Sequence, residues 1–276
     1  MAILSQFVRP ASLDEAIRLL NEAGGSAAIL GGGTALVGML EMRARPELET
    51  VIDLRMLQLD RLRMDGERLV VGAMVTLTDM IAHPVAGALA SGVLVQAARG
   101  EGPINLRNAA TIGGVVALGE ADSEVYAALL ALDAAVTMYT RRQTVETVPL
   151  RDLQVVDGVI TEIAVPLQAA RGAIARVART PSDRPIVAAV AIVAGASKTV
   201  ALCGVAPKPI LLGQLLAPIG DFKGSVEYRY EMAPVVAQRA LEAAHRSVII
   251  CRSRPRHQSL HRRARLWTST TGLFGC

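Results

Sequence analysis

The chain lacks a cysteine pair. Its only three cysteines, Cys203, Cys251 and Cys276, are widely spaced and form no C-x-x-C. Neither a disulfide framework nor a zinc or iron–sulfur site is therefore indicated, and any iron–sulfur chemistry would sit on another chain. Histidine is nearly as scarce: His83 stands alone before Pro84, and the other three lie in the C-terminal region. That excludes a histidine-based triad and a histidine metal cage. Long apolar runs are missing too, because the longest, Ile186 to Ala196, is too short to span a bilayer. The opening MAILSQFVRP has neither the basic end nor the long apolar stretch of a secretory signal, so a cytoplasmic protein without a transmembrane segment is expected. There is also no G-x-G-x-x-G and no G-K-S/T ending, which removes both familiar nucleotide loops.

What remains has the composition of a folded globular protein, with 51% hydrophobic and 20% charged residues over 276 positions. The formal net charge of +4 would suggest nucleic acid until it is divided along the chain. Residues 246–276 hold seven arginines and no acid, and subtracting those from +4 leaves the first 245 residues at −3. The basic character belongs to the tail, and no nucleic-acid partner is expected for the body.

The stretch AAILGGGTALVGML, Ala27 to Leu40, organises the rest. A short apolar run suited to a buried strand breaks at Gly31, Gly32 and Gly33 before an apolar segment of helical composition. Three glycines leave the main chain open to close approach, and Thr34 is placed to cap the following helix, so an anion such as a phosphate or pyrophosphate suits the loop. Against this stands the commoner case, a glycine turn that binds nothing.

Upstream, Ser12 and Glu15 make a capping box for a helix whose apolar face is Leu13, Ala16, Ile17 and Leu20. Downstream, a helix to about Arg43 and a strand around Val51 to Leu54 complete an α/β opening. A hairpin across Asp65-Gly66 follows, then a helix capped by Thr76 and Asp79 and ended at His83-Pro84. Val85 to Arg99 reads as an Ala-rich helix.

A second glycine-bearing stretch, NLRNAATIGGVVALG from Asn105 to Gly119, sets Thr111 beside Gly113 and Gly114, read as a turn next to an apolar run. Two such loops can hold an extended diphosphate-linked ligand from two sides, with backbone amides and the Thr34 and Thr111 hydroxyls as donors. Of the acids that follow, Asp122 reads as a cap or a solvated charge, and Glu124 is placed to accept hydrogen bonds from ribose hydroxyls. A helix over 125–132 and strands at Ala135 to Thr140 and Val159 to Val165 come next. Beyond a boundary near Leu167 to Arg171, three apolar runs predict an antiparallel sheet, and Ser225 to Ala244 a closing helix despite Pro234.

The ordered segments FVRPASLDEAIRLL, ILGGGTAL, LRNAATIGG, ALLALDAAV and GSVEYRYEMA resemble the FAD-binding medium subunit of molybdenum hydroxylases, the carbon monoxide dehydrogenase and xanthine dehydrogenase group, over about residues 5–244. The resemblance implies an α+β fold: a PCMH or vanillyl-alcohol-oxidase-type FAD-binding domain over 1–168, with subdomains of about 1–56 and 57–168. A smaller C-terminal α+β domain with an antiparallel sheet is implied over 169–245, followed by the tail over 246–276. It implies FAD contacts at Gly31, Gly32, Gly33, Thr34, Ala35 and Leu36 in the first loop and at Thr111, Gly113 and Gly114 in the second. Gly102 and Glu124 complete the set, with Ile160 as an apolar neighbour of the flavin ring.

No catalytic acid or base of the chain's own is implied. The implied role is electron relay: an iron–sulfur small subunit with [2Fe-2S] clusters and a molybdopterin large subunit with the molybdenum cofactor would be partners, in a dimer of heterotrimers. No histidine adjoins either loop, so the FAD is expected to be non-covalent. The sequence departs from the family pattern where Gly31 replaces alanine, Ala35 an aspartate, Val115 an asparagine, Ala121 a proline and Glu124 an aspartate. Each change removes or lengthens a polar contact. Two other functions stay open: a stand-alone flavoprotein oxidoreductase on the same fold, and a flavin-free scaffold or adaptor. The tail also has two readings, a basic arm for nucleic acid or an acidic partner, and a non-native, out-of-frame ending.

Overall fold

The computed structural model describes residues 4–247. From residue 248 on, the basic stretch read above as an arm or an out-of-frame ending lies outside the described residues. The opening is a small parallel sheet built from β1 (Gln6–Val8), α1 (Leu13–Ala23), β2 (Ala27–Leu30), α2 (Leu36–Glu41) and β3 (Thr50–Asp53), in strand order β1-β3-β2. The Ser12 hydroxyl accepts the Glu15 N–H, and the Glu15 carboxylate accepts the Ala11 N–H one residue outside the cap. Ala16, Ile17 and Leu20 of α1 then pack on Ile52, Leu54 and Val159.

A second, fully antiparallel sheet has the order β4-β5-β8-β6-β7. Its strands are β4 (Leu62–Asp65), β5 (Arg68–Gly72), β6 (Ala135–Thr140), β7 (Val145–Pro149) and β8 (Gly158–Pro166). Between β5 and β6 run α3 (Leu77–Ala82), α4 (Pro84–Ala88), α5 (Val93–Gly100), α6 (Ile104–Ala109), α7 (Ile112–Leu118) and α8 (Glu124–Ala131). The Ala-rich helix expected over 85–99 is broken, because Ala90, Ser91 and Gly92 all have positive φ. The break brings the Ala90 carbonyl against Gly172, where a Cβ would stand only 2.7 Å from it. Tertiary packing overrides helix propensity there. Strands β1 and β7 and helix α6 had no signal that separated them from loop.

The third sheet, β12-β11-β10-β9, comprises β9 (Arg171–Val177), β10 (Val187–Ala194), β11 (Ser197–Cys203) and β12 (Ile210–Leu211). Strand β10 explains the longest apolar run of the sequence. Its residues Ala188, Val190 and Ile192 join the core that holds α5 and α8, while Val187, Ala189, Ala191 and Val193 face α9 (Val226–Arg246). A strand buried on both faces has no polar alternation to show. Pro234 removes one helical hydrogen bond in α9, yet Ala233, Val236, Ala237, Ala240 and Ala244 keep one continuous buried face. Among the described residues no helix is long and apolar enough to cross a membrane.

Candidate functional site

Strand β2 delivers the chain into the first glycine loop, and there each glycine has a different reason. Gly33 has a φ of +80°, a backbone conformation that side chains disfavour. Gly32 is required by contact: a Cβ would collide with the Ala109 carbonyl oxygen and stand 2.6 Å from its carbon. At Gly31 a Cβ would come within 2.9 Å of the Thr111 hydroxyl. The expected cap is corrected, for α2 starts one residue later than Thr34 would need. Its N-cap is Ala35 with no side-chain bond, and Thr34 is exposed in the preceding turn. Among the described residues, the turn and loop bonds include none donated by the N–H groups of Gly32, Gly33, Thr34, Ala35 or Leu36.

The second loop is not the turn that its glycines suggested. Thr111 has extended backbone, and its hydroxyl accepts the Gly114 N–H at 3.2 Å, which starts α7 at Ile112. Gly113 and Gly114 are therefore in a first helical turn. The Gly113 N–H donates to the Ala73 carbonyl at 2.9 Å, and a Cβ there would lie 2.7 Å from the Ala73 Cβ. Its smallness lets α7 sit against the end of β5.

Where the two loops meet, a cavity of about 310 Å³ opens. Gly31 to Leu36 line one side, and Thr111, Gly114, Glu101, Ser123 and Arg184 are among the residues lining the rest. A cavity of about 690 Å³ adjoins it, lined by Gly100, Gly102, Arg107, Glu124, Arg176 and Ser182 among others. A third, of about 460 Å³, touches Gly31, Gly32, Gly33 and Thr111 as well as Arg55, Asp79 and Asn108.

Acids and arginines lie between the first two cavities. Arg184, in the connection from β9 to β10, binds Glu101 at 2.5 Å, Asp122 at 3.0 Å and also Glu120. Asp122 is thus paired, with Lys223 at 3.1 Å as well, and the capping role it was assigned falls to Ser123, whose hydroxyl accepts the Tyr126 N–H. Glu124 is only 2% exposed and meets Arg176 at 3.5 Å. Burial pushes its carboxyl up to about 7; Arg176 opposes the shift and Glu101 adds to it. Burial also raises Glu101, against Arg184 and the Ser123 hydroxyl.

The structure brings Gly31, Gly32, Gly33, Thr34, Ala35, Leu36, Thr111 and Gly114 to one cavity. It sets Gly102 and Glu124 in the neighbouring one. Gly113 and Ile160 line none of these three cavities: Gly113 packs on Ala73, and Ile160 lies in the core around α8. Sequence reasoning missed Glu101, Ser123, Arg107, Arg176 and Arg184. Glu101 carried a signal, an acid bracketed by Gly100 and Gly102 ahead of Pro103. The two arginines at 176 and 184 had none, since they reach the site from beyond β8.

Residues 4–168 match the family described as the FAD binding domain in molybdopterin dehydrogenase. The chain belongs to this family. Across its length it is 28% identical to the carbon monoxide dehydrogenase medium chain of Hydrogenophaga pseudoflava, covering 87% of this chain and 96% of that one. It is also 33% identical to the 6-hydroxypseudooxynicotine dehydrogenase complex subunit alpha of Paenarthrobacter nicotinovorans, over 52% of this chain and 48% of that one. A solved structure of carbon monoxide dehydrogenase from Hydrogenophaga pseudoflava superposes with a TM-score of 0.81 at 26% identity, covering 89% of this chain and 98% of that one. The α+β architecture and the FAD-dependent oxidoreductase class follow from these matches.

The residues present fit FAD, the cofactor of the family. The loop that borders the first cavity offers side-chain-free backbone, with N–H groups from Gly32 to Leu36 that no turn or loop bond occupies. Such a row of donors suits a diphosphate. The changes to Ala35 and Val115 leave that backbone in place.

Proposed function

We propose that the chain is the FAD-binding, electron-transferring medium subunit of a molybdenum-containing hydroxylase complex. The observation that carries the proposal is the meeting of the two glycine-bearing segments around a cavity bordered by free backbone donors, within a chain of this family. Gly31, Gly32, Gly33, Thr34, Ala35 and Leu36, with Thr111 and Gly114, would hold the diphosphate region; Gly102 and Glu124 would border the neighbouring part of the cofactor. Residues 1–168 would form the FAD-binding unit and 169–245 a C-terminal domain that closes on it. When bound, FAD would supply the redox chemistry, accepting electrons from [2Fe-2S] clusters of a small subunit and yielding them to an external acceptor. The chain's own residues would bind and orient it. They need contribute no acid or base.

A molybdopterin large subunit and an iron–sulfur small subunit are the proposed partners, as a dimer of heterotrimers. Purification of the chain from its native host, followed by elemental analysis, tests this. Iron and molybdenum in fixed ratio to flavin are expected, and a flavin-loaded chain devoid of both metals would leave a stand-alone flavoprotein instead.

A further inference from the structure

The first two cavities are separated by a thin partition, and its composition is unusual. Gly100 and Gly102 line one side while Glu101 lines the other; Glu124 and Ser123 divide in the same way, and so do Ser182 and Arg184. In three segments, therefore, residues one or two apart in the chain face opposite cavities. The partition consists of Glu101 and the loop before α8 on one part, and of the β9–β10 connection, residues 178–186, on the other. What joins the two parts is ionic: Arg184 to Glu101, Glu120 and Asp122, with Arg176 of the adjoining strand β9 meeting Glu124 beside them. The joint is incompletely satisfied, since Arg184 Nε, Arg176 Nε and Glu124 Oε1 are buried without hydrogen-bond partners. Cavities that hold drug-sized ligands run from about 300 to about 1,000 Å³. The first cavity, at about 310 Å³, is at the bottom of that range, and FAD is larger than such a ligand.

We infer that the β9–β10 connection is a gate, latched by Arg184 onto Glu101, Glu120 and Asp122, whose withdrawal merges the two cavities into one channel for an extended dinucleotide. The inference rests on the FAD reading above and adds how the cofactor enters and is kept. Arg184 acts here by holding two parts of the fold together. Unlatching therefore speeds entry and exit alike. A residue that recognised the diphosphate directly would behave differently, because its loss would slow entry and speed exit.

The test is stopped-flow flavin fluorescence with the full chain, measuring FAD association and dissociation for wild type, Arg184→Met and Glu120→Gln. Methionine keeps the stem and removes the charge; Glu120 is the most exposed arm of the latch, so its change spares the buried part. Both rate constants are expected to rise about tenfold in Arg184→Met and about threefold in Glu120→Gln, with the Kd within about threefold of wild type. Raising salt from about 0.05 to about 0.5 M should speed wild type toward the variant and change the variant less.

Rates equal to wild type in both variants would overturn the gate while leaving FAD binding intact. Slower association with weaker binding in Arg184→Met would assign the arginine to the anion and overturn it as well. If Arg184→Met does not fold, Glu120→Gln and the salt series decide by the same criterion. Absence of FAD binding in folded wild type and variants would remove the FAD reading, and the gate with it.

Discussion

Replacing Gly32 with alanine is the sharpest perturbation the site allows. The added methyl would collide with the Ala109 carbonyl oxygen and stand 2.6 Å from Ala109 C and 3.1 Å from Ala110 Cα. Ordinary carbon contacts lie at about 3.5 to 4.0 Å, so the two loops have to part by at least about 1 Å, and by more to clear the carbonyl oxygen. Both obstructing groups are backbone, and neither can rotate away. Overpacking costs about 1 to 3 kcal/mol, and an obstacle of this kind belongs at the upper end. At about 2 to 4 °C per kcal/mol for a chain near this size, the Tm should fall by about 6 to 12 °C.

The same displacement moves the loop donors relative to Thr111 and Gly114. If one hydrogen bond to the anionic diphosphate is lost, at about 1.5 kcal/mol, the Kd for FAD rises about tenfold or more. Thermal unfolding by circular dichroism and FAD titration by fluorescence read the two effects. Gly38→Ala is the control: it lies in α2 with nothing within 4 Å of the added methyl. It should raise stability by about 0.5 to 1 kcal/mol. A Gly32→Ala protein with wild-type Tm and wild-type Kd would refute the described loop–loop contact.

Thr111→Ala removes the cap of α7, and stability should fall by about 1 kcal/mol in denaturant unfolding, with looser FAD binding. Gly113→Ala should lower the Tm through its contact with Ala73 while altering the FAD Kd less than Gly32→Ala does, since Gly113 lines none of the three cavities. For Glu124, whose carboxyl is raised to about 7 by burial, the native state binds the proton more tightly than the unfolded chain. Its contribution is thus fully present below about pH 4.5 and is lost as pH rises through 7. Between those values the stability of Glu124→Gln should fall less with pH than that of wild type, and parallel pH–stability curves would refute the assignment.

The elements easiest to read from sequence were those whose signal is local. The capping box of α1, the apolar run of β2 and the all-apolar β10 each carry their reason in adjacent residues. The first glycine loop was legible as a loop, the second was read as a turn where helix α7 in fact begins, and what each glycine does was legible in neither. Gly32 and Gly113 are small because backbone from elsewhere presses on them, and that contact has no local signature. Thr111 reads as a ligand donor, and its hydroxyl has a second task that the sequence did not announce: it accepts the Gly114 amide as the cap of α7, which leaves its own O–H free to donate. The charged partition was hidden for a related reason: Arg184 and Glu101 are far apart in sequence, and only the return of β9 and β10 beside α5 and α8 brings them to 2.5 Å. The short strands β1 and β7 carry too few alternating residues to be told from loop.

The most direct test of FAD binding is an absorption spectrum of the purified chain before and after adding FAD, with any released flavin identified by chromatography. Flavin bands that persist through desalting, and release of intact FAD by denaturation without a covalent residue, are predicted. A folded protein that stays colourless with excess FAD would contradict the account, and would show that the substitutions at Ala35, Val115 and Glu124 have turned the fold into a flavin-free scaffold.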